Sequence, residues 1–286
     1  WKVGSVWDVY DPKFPQYVDD CVRGAGKIAG SPWCIGIFVD NELHWGSDLA
    51  AIAFASGPEQ PAKQALVGLL RRRYRDDIAA LNRSWGSAFA DWQQLAGARK
   101  RPDPARTAAD FDAFYTQTAE TYFRTVRDSI RRQWPGRLYL GARLAQYTPL
   151  TWAAAAKYCD VISMNHYSAN VDGIAVTKDF DAPVIATEFH FGATDRGMFG
   201  GGVVEVANQA ERAANYRNYL ESALKHPRFV GAHYFQYVDQ PVTGRIFDGE
   251  NYNIGFLDVA DHPYPEMVEA ARAVADNMYQ LRFGGK

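Results

Sequence analysis

The chain has 286 residues, and 31 Lys and Arg against 33 Asp and Glu leave a net charge of −2, with no block of like charge that would mark a polyanion-binding tail. A hydrophobic content of 47% and a charged content of 22% exclude disorder and collagen-like repeats, and no apolar run approaches the roughly 18–20 residues of a membrane span. Three cysteines (Cys21, Cys34, Cys159) with no CxxC pair exclude a disulfide scaffold or a Cys-rich zinc site and read as small core residues.

In chain order, strands are expected over Val3–Val9 and Cys34–Val39, followed by a helix over Pro61–Tyr74. A long amphipathic helix is expected from Ala108 to Gln133, because Phe111, Phe114, Tyr115, Thr118, Tyr122, Phe123, Val126 and Ile130 follow the spacing of one buried face. It ends before Pro135-Gly136. Then come a strand over Arg137–Gly141, a helix over Trp152–Tyr158, and strands over Asp160–Met164 and Pro183–Thr187. A helix over Val204–Lys225, a strand over Phe229–Phe235 and a helix over Pro265–Leu281 complete the series. The long irregular stretches, Phe191–Gly202 and Gln236–Asp258, both follow strands, and loops of that length in a compact domain are commonly functional. Trp33 and Trp85 read as core or helix-packing residues.

Short strands alternating with helices predict an α/β fold with parallel strands. No GxGxxG or GxxxxGK[ST] follows a strand, so the phosphate-binding reasons for an open sheet are missing. A single catalytic (β/α)8 barrel domain of the TIM type over residues 1–286 is favoured, with about six of its roughly eight strand–helix units in this chain.

In such a barrel the active site lies at the C-terminal strand ends. There the sequence reads Asp40-Asn41-Glu42-Leu43-His44-Trp45 after one strand and Glu188-Phe189-His190-Phe191 after another. Two carboxylates from different strands are the parts needed for glycoside hydrolysis, one as general acid/base and one as nucleophile or base. Asn41 is suited to hydrogen-bonding a sugar 2-hydroxyl, and Asn165-His166-Tyr167 places a phenol where it holds the second carboxylate ionised. His44, Trp45, His166, His190 and Phe191 are expected to line sugar subsites, as are Tyr234 on the last strand and Gln236 just after it. Arg143 has the planar donor fork suited to orienting either glutamate. Asp195-Arg196 reads as a local ion pair that orders its loop, while Asp239 and Gln240 are candidates for selecting sugar hydroxyls. The rival reading is a metal site of His166, His190 and His233; no HxH or HExxH spacing supports it, and no metal or cofactor is expected.

Strand–Asn–Glu, strand–Asn–x–Tyr, strand–Glu and a last strand ending in aromatics resemble the clan A retaining glycoside hydrolases. More narrowly, GIFVDNELHWG, PVIATEFHFGATDRGMF, VANQAERA and HYFQYVDQPVTGR…DGENYNIGFLDV resemble glycoside hydrolase family 50, the β-agarases. The resemblance implies Glu42 as acid/base, Glu188 as nucleophile, Asn41 as 2-hydroxyl ligand and Tyr167 as partner of the nucleophile. It also implies a substrate of agarose-type galactan, no nucleic-acid or membrane partner, and a secreted or periplasmic location. Alternatives are a β-galactosidase of the family 42 type or a non-catalytic sugar-binding barrel remnant. If Glu42 follows the fourth strand and Glu188 the seventh, the first two strands are missing from this sequence, and the expectation is either an N-terminally truncated member, a homo-oligomer or partner chain that completes the barrel, or an open barrel. Where clan A enzymes carry a Trp platform at the last strand, Tyr234 is the expected substitute.

Overall fold

The computed structural model describes residues 2–3, 6–174 and 182–284. Two compact units, Trp1–Ile162 and Ser163–Lys286, are taken in turn.

In the first unit, β1 (Lys2–Val3) and β2 (Val6–Trp7) pair antiparallel, Lys2 opposite Trp7 and Val3 opposite Val6. The single parallel strand expected over Val3–Val9 is therefore corrected to a short hairpin; its Gly4 and Ser5 lie outside the described residues. Helix α1 (Phe14–Gly24) buries Phe14, Val18 and Val22, a spacing of four that marks one helix face. After α2 (Gly26–Ala29), strand β3 (Gly36–Ile37) pairs parallel with β4 (Leu138–Tyr139). Gly36 is required there, since a Cβ would meet the Leu138 carbonyl oxygen at 2.6 Å.

Between these strands run α3 (Leu49–Ala55), α4 (Pro61–Arg73), α5 (Ile78–Trp85), α6 (Trp92–Gly97) and α7 (Pro104–Gln133). Asp77, Asp91 and Asp103 cap α5, α6 and α7 by accepting backbone N–H bonds, which satisfies donors that the first turn of a helix leaves free. The apolar face of α7 packs on Phe54, Trp85 and Trp45, all fully buried. Helix α8 (Pro149–Tyr158) starts on a capping box between Thr148 and Thr151. Trp85 is core as expected; Trp33 is not, being 90% exposed. Of the cysteines only Cys159 is buried, Cys21 being exposed and Cys34 half-buried.

The second unit carries a three-stranded sheet in the order β5 (Ile162–Asn165), β6 (Val184–Phe189), β7 (Phe229–Tyr234), with β6 and β7 parallel. Helix α9 (Gln209–Lys225) begins five residues later than the expected Val204, because Asn208 caps it by accepting from Glu211 N–H. Helix α10 (Pro265–Phe283) packs on α9. One face of the sheet meets α9 through a stack of Phe189 on Tyr219 (4.0 Å, 3° between planes); Tyr216 also stacks on Phe189, Tyr234 meets it edge-on, and Phe256 is edge-on to Tyr216 and Tyr234. Among the described residues no helix is long and apolar enough to cross a membrane.

Candidate functional site

In the first unit the β3–β4 pairing continues past its regular residues. Val39 N–H donates to Gly141 O (3.0 Å), Glu42 N–H to Arg143 O (3.2 Å) and Trp45 N–H to Gln146 O (3.2 Å). Along this stretch Asp40 (φ 65°), Glu42 (φ 53°) and Arg143 (φ 46°) all occupy the left-handed region, at a cost of about 1 kcal/mol or more for a non-glycine residue. Backbone held this way persists only where its surroundings enforce it. Tyr122 of α7 donates its phenol to Asp40 Oδ2 (2.5 Å), and Tyr115 of the same helix donates to Trp45 O (2.8 Å). Burial beside Asp40 pushes the Tyr122 phenol well above its ordinary range, so it remains a donor. Arg143 Nη1 donates to Asn41 Oδ1 at 2.8 Å, so it orients the asparagine amide.

Glu42 and Asn41 are exposed, and His44 is half-exposed with Nε2 3.8 Å from Asp48 Oδ1. Trp45 departs from its expected place. Its ring is fully buried against Tyr122 (5.2 Å) and Phe123 (5.8 Å, stacked), so it anchors the segment behind Glu42 and offers no surface to a sugar.

In the second unit Glu188, near the end of β6, is 7% exposed, and Tyr167 just past β5 donates to its Oε2 at 2.6 Å. The sequence-based pairing of phenol and carboxylate is therefore formed. Beneath it Thr187 donates to Asn165 Oδ1 (2.7 Å), and His166 N–H donates to Glu188 O (2.8 Å). The His166 ring is half-buried, with Nε2 3.2 Å from Asn170 O.

His190 is corrected from ligand to support. It is 2% exposed; Nε2 accepts from Val203 N–H (2.8 Å), which leaves Nδ1–H to donate to Phe235 O (3.1 Å). Burial holds its pKa down at about 4, so the ring stays neutral. It lies 4.7 Å from the Tyr167 ring and fixes the side from which that phenol reaches Glu188. Gly202 (φ 77°) makes room for it, since a Cβ there would meet Nε2 at 2.5 Å.

Tyr234 is also corrected. Its hydroxyl donates to Phe191 O (3.0 Å) and its ring sits in the aromatic stack under α9. Successive side chains on a strand point to opposite faces, so Phe235, not Tyr234, shares the face of Glu188 and His190, 6.2 Å from the His190 ring. The sequence reading missed it because the phase of the strand's alternation is hard to judge in an all-aromatic run, His233-Tyr234-Phe235. Gln236, half-buried, donates to Val238 O (2.7 Å).

The loops after β6 and β7 are pinned from below by Arg212 of α9, fully buried. Its guanidinium donates to Phe191 O (2.9 Å), Gln209 Oε1 (2.5 Å) and Gly255 O (2.8 Å). Asp239 accepts from Gly255 N–H, Asn253 and Tyr264, each at 2.7 Å, and is structural rather than hydroxyl-selecting. Arg196 pairs with Glu266 at 2.6 Å and approaches Asp195 only at 4.0 Å. Among the described residues no group of three or more His, Cys, Asp or Glu is placed to hold a metal ion.

Comparison with known proteins gives the same direction. The glycoside hydrolase family 42 model, described as Beta-galactosidase, matches residues 11–199. Beta-agarase B of Vibrio sp. (strain JT0107) is 37% identical over 299 residues, covering 96% of this chain and 31% of that protein. Beta-agarase A of the same strain is 39% identical over 297 residues, covering 94% of this chain and 30% of that one. The crystal structure of an agarase, AgWH50C, superposes with a TM-score of 0.93 at 40% identity, covering 97% of this chain and 42% of the other. The resemblance to β-agarases expected from the motifs holds along almost the whole chain, and the fold is that of the glycosidase barrels, of which this chain covers a part. The chain spans about a third of the length of the curated relatives it matches.

Proposed function

Because this chain belongs to the glycoside hydrolase family whose model is described as Beta-galactosidase, we propose that it is a retaining glycosidase cleaving β-linked galactose units of agarose-type galactans, as the names of its agarase relatives suggest. The observation that carries this reading is the nearly buried Glu188 carboxylate with the Tyr167 phenol donating to it at 2.6 Å. A buried carboxylate held by an oriented phenol donor, with a neutral imidazole against that phenol, suits a nucleophile.

Glu188 attacks the anomeric carbon while Glu42 gives its proton to the departing oxygen, leaving a glycosyl ester on Glu188. Glu42 then takes a proton from water, the water oxygen replaces the ester oxygen, and the β configuration is restored. Asn41, aimed by Arg143, holds the sugar 2-hydroxyl, an interaction that strengthens in the transition state. Phe235 supplies the apolar ring on the nucleophile's face. A galactan polymer places the enzyme outside the cytoplasm, where such substrate is met.

Products from agarose, neoagarotetraose and lactose, resolved by thin-layer chromatography with the Glu188→Gln protein as blank, test the reading. Neoagaro-oligosaccharides released by the parent chain alone are expected. Galactose from lactose alone would transfer the chain to the β-galactosidase reading that the family model's description favours, and no product from any substrate would sink both.

A further inference from the structure

The segment after β7 contains a turn whose rigidity and surface are at odds. Pro241 O accepts from Gly244 N–H, Glu250 O from Arg245 N–H, and Arg245 O from Gly249 N–H, each at 2.8 Å. Gly244 (φ 88°) and Gly249 (φ 76°) supply left-handed backbone, and a Cβ on Gly244 would meet Gly249 O at 2.6 Å. Below the turn the fully buried Gln240 donates from Nε2 to Glu250 Oε2 and accepts from Tyr252 N–H, each at 2.8 Å. Arg245 pairs at 2.5 Å with both Asp248 and Glu250. All this bracing presents an apolar tip to water: Ile246 is 100% exposed and Phe247 74% exposed.

The tip is anchored on the nucleophile's face of the sheet. The Arg245 guanidinium lies 4.7 Å from the Phe247 ring centre and 5.8 Å from that of Phe235. Phe235 neighbours His190, which neighbours Tyr167, which donates to Glu188. Phe247 is thus the outermost ring of a contact series that starts at the nucleophile. A flat ring held in place before ligand arrives saves the ordering entropy that binding to a loose loop loses, and its face accepts the apolar side of a pyranose.

Resting on the glycosidase reading above, we infer that Phe247 forms a distal sugar-stacking subsite, binding a galactan residue beyond the one attached to Glu188 and so making affinity depend on substrate length. Phe235 serves the sugar nearest the nucleophile; Phe247 serves one further along the chain.

The test is calorimetric titration of the full chain carrying Glu188→Gln, which binds without turnover, with neoagarobiose, neoagarotetraose and neoagarohexaose. The same series follows with Phe247→Ala or Phe247→Trp added. Phe247→Ala is expected to lower affinity for the longest oligosaccharide about tenfold, with a smaller loss for shorter ones, and Phe247→Trp to restore it. Equal affinities with and without the ring overturn the subsite, as does a loss of one size at every length. A change in molar mass by light scattering that accompanies the loss also overturns it, and assigns the tip to self-association. No binding of any oligosaccharide by the Glu188→Gln chain would instead sink the glycosidase reading on which the subsite rests.

Discussion

At the scale of single residues, the short bond from Tyr167 to Glu188 does chemical work only if the carboxylate charge changes during reaction. The phenol donates to Oε2 at 2.6 Å, a bond to an ionised acceptor worth about 1.5–3 kcal/mol. Tyr167→Phe keeps the ring contact with His190 and removes the donor. It is expected to lower kcat by roughly ten- to a hundredfold, with the thermal midpoint nearly unchanged; an unaltered kcat would remove Tyr167 from the machinery. The pairing of Tyr167 with Glu188 is legible because a polar residue at the end of an apolar strand has few other places to go. Trp45 and His190 depart from their expected places for one shared reason. Which way an aromatic or imidazole turns after a strand depends on left-handed backbone at Asp40 and Glu42 and on loop segments such as Val203 and Phe235 that close over it, and adjacent sequence carries no sign of either.

At the scale of elements, α7 is the organiser of the first unit. Its thirty residues, about 45 Å of helix at roughly 1.5 Å per residue, present Tyr115 and Tyr122 to the Asp40–Trp45 stretch at one level and Asp110 to α4 and α5 at another. Asp110 is 3% exposed; it meets Arg73 at 2.6 Å, Tyr74 at 2.6 Å and Trp85 at 2.7 Å. Asp110→Ala leaves a phenol, an indole N–H and a guanidinium without their acceptor, so unfolding free energy is expected to drop by about 3 kcal/mol, read as the midpoint shift in urea. A loss under roughly 1 kcal/mol would mean that water replaces the carboxylate and that α4 and α5 are held by packing alone. The apolar periodicity of α7 made it readable, and α10 likewise. Helix α3, Leu-Ala-Ala-Ile-Ala-Phe-Ala, has no polar face and so no period to read, while α5 and α6 are eight and six residues long, too short for one. Strands β3 and β4 are two residues each, although the backbone bonds beyond them show that the apolar runs continue side by side.

At the scale of the whole chain, the two units differ in how they meet acid. In Ser163–Lys286 burial lowers the pKa of three histidines, His166, His190 and His226, with His190 brought down to about 4. In Trp1–Ile162 the one histidine, His44, is half-exposed. A histidine whose folded pKa is depressed takes its proton in the unfolded chain first, near pH 6.5, so the unfolded state binds more protons and stability falls as pH drops from 6.5 toward 4. Below that window both states are protonated and the term levels off. Between pH 7 and pH 5, His190 alone should remove about 2 kcal/mol, and His166 and His226 add to it in the same direction. The aspartates whose pKa is lowered, such as Asp76 and Asp248, act only below the ordinary carboxylate range, outside this interval. Peptide-resolved hydrogen exchange, corrected for intrinsic rate at each pH, should therefore show opening of β5–β7 and α9 growing easier from pH 7 to pH 5 while α7 and its neighbours hold. His190→Gln, whose amide offers both a donor and an acceptor to Phe235 O and Val203 N–H, should flatten much of that slope. If the first unit opened sooner, or if the slope survived His190→Gln unchanged, buried imidazole would not be what sets the acid limit of this protein.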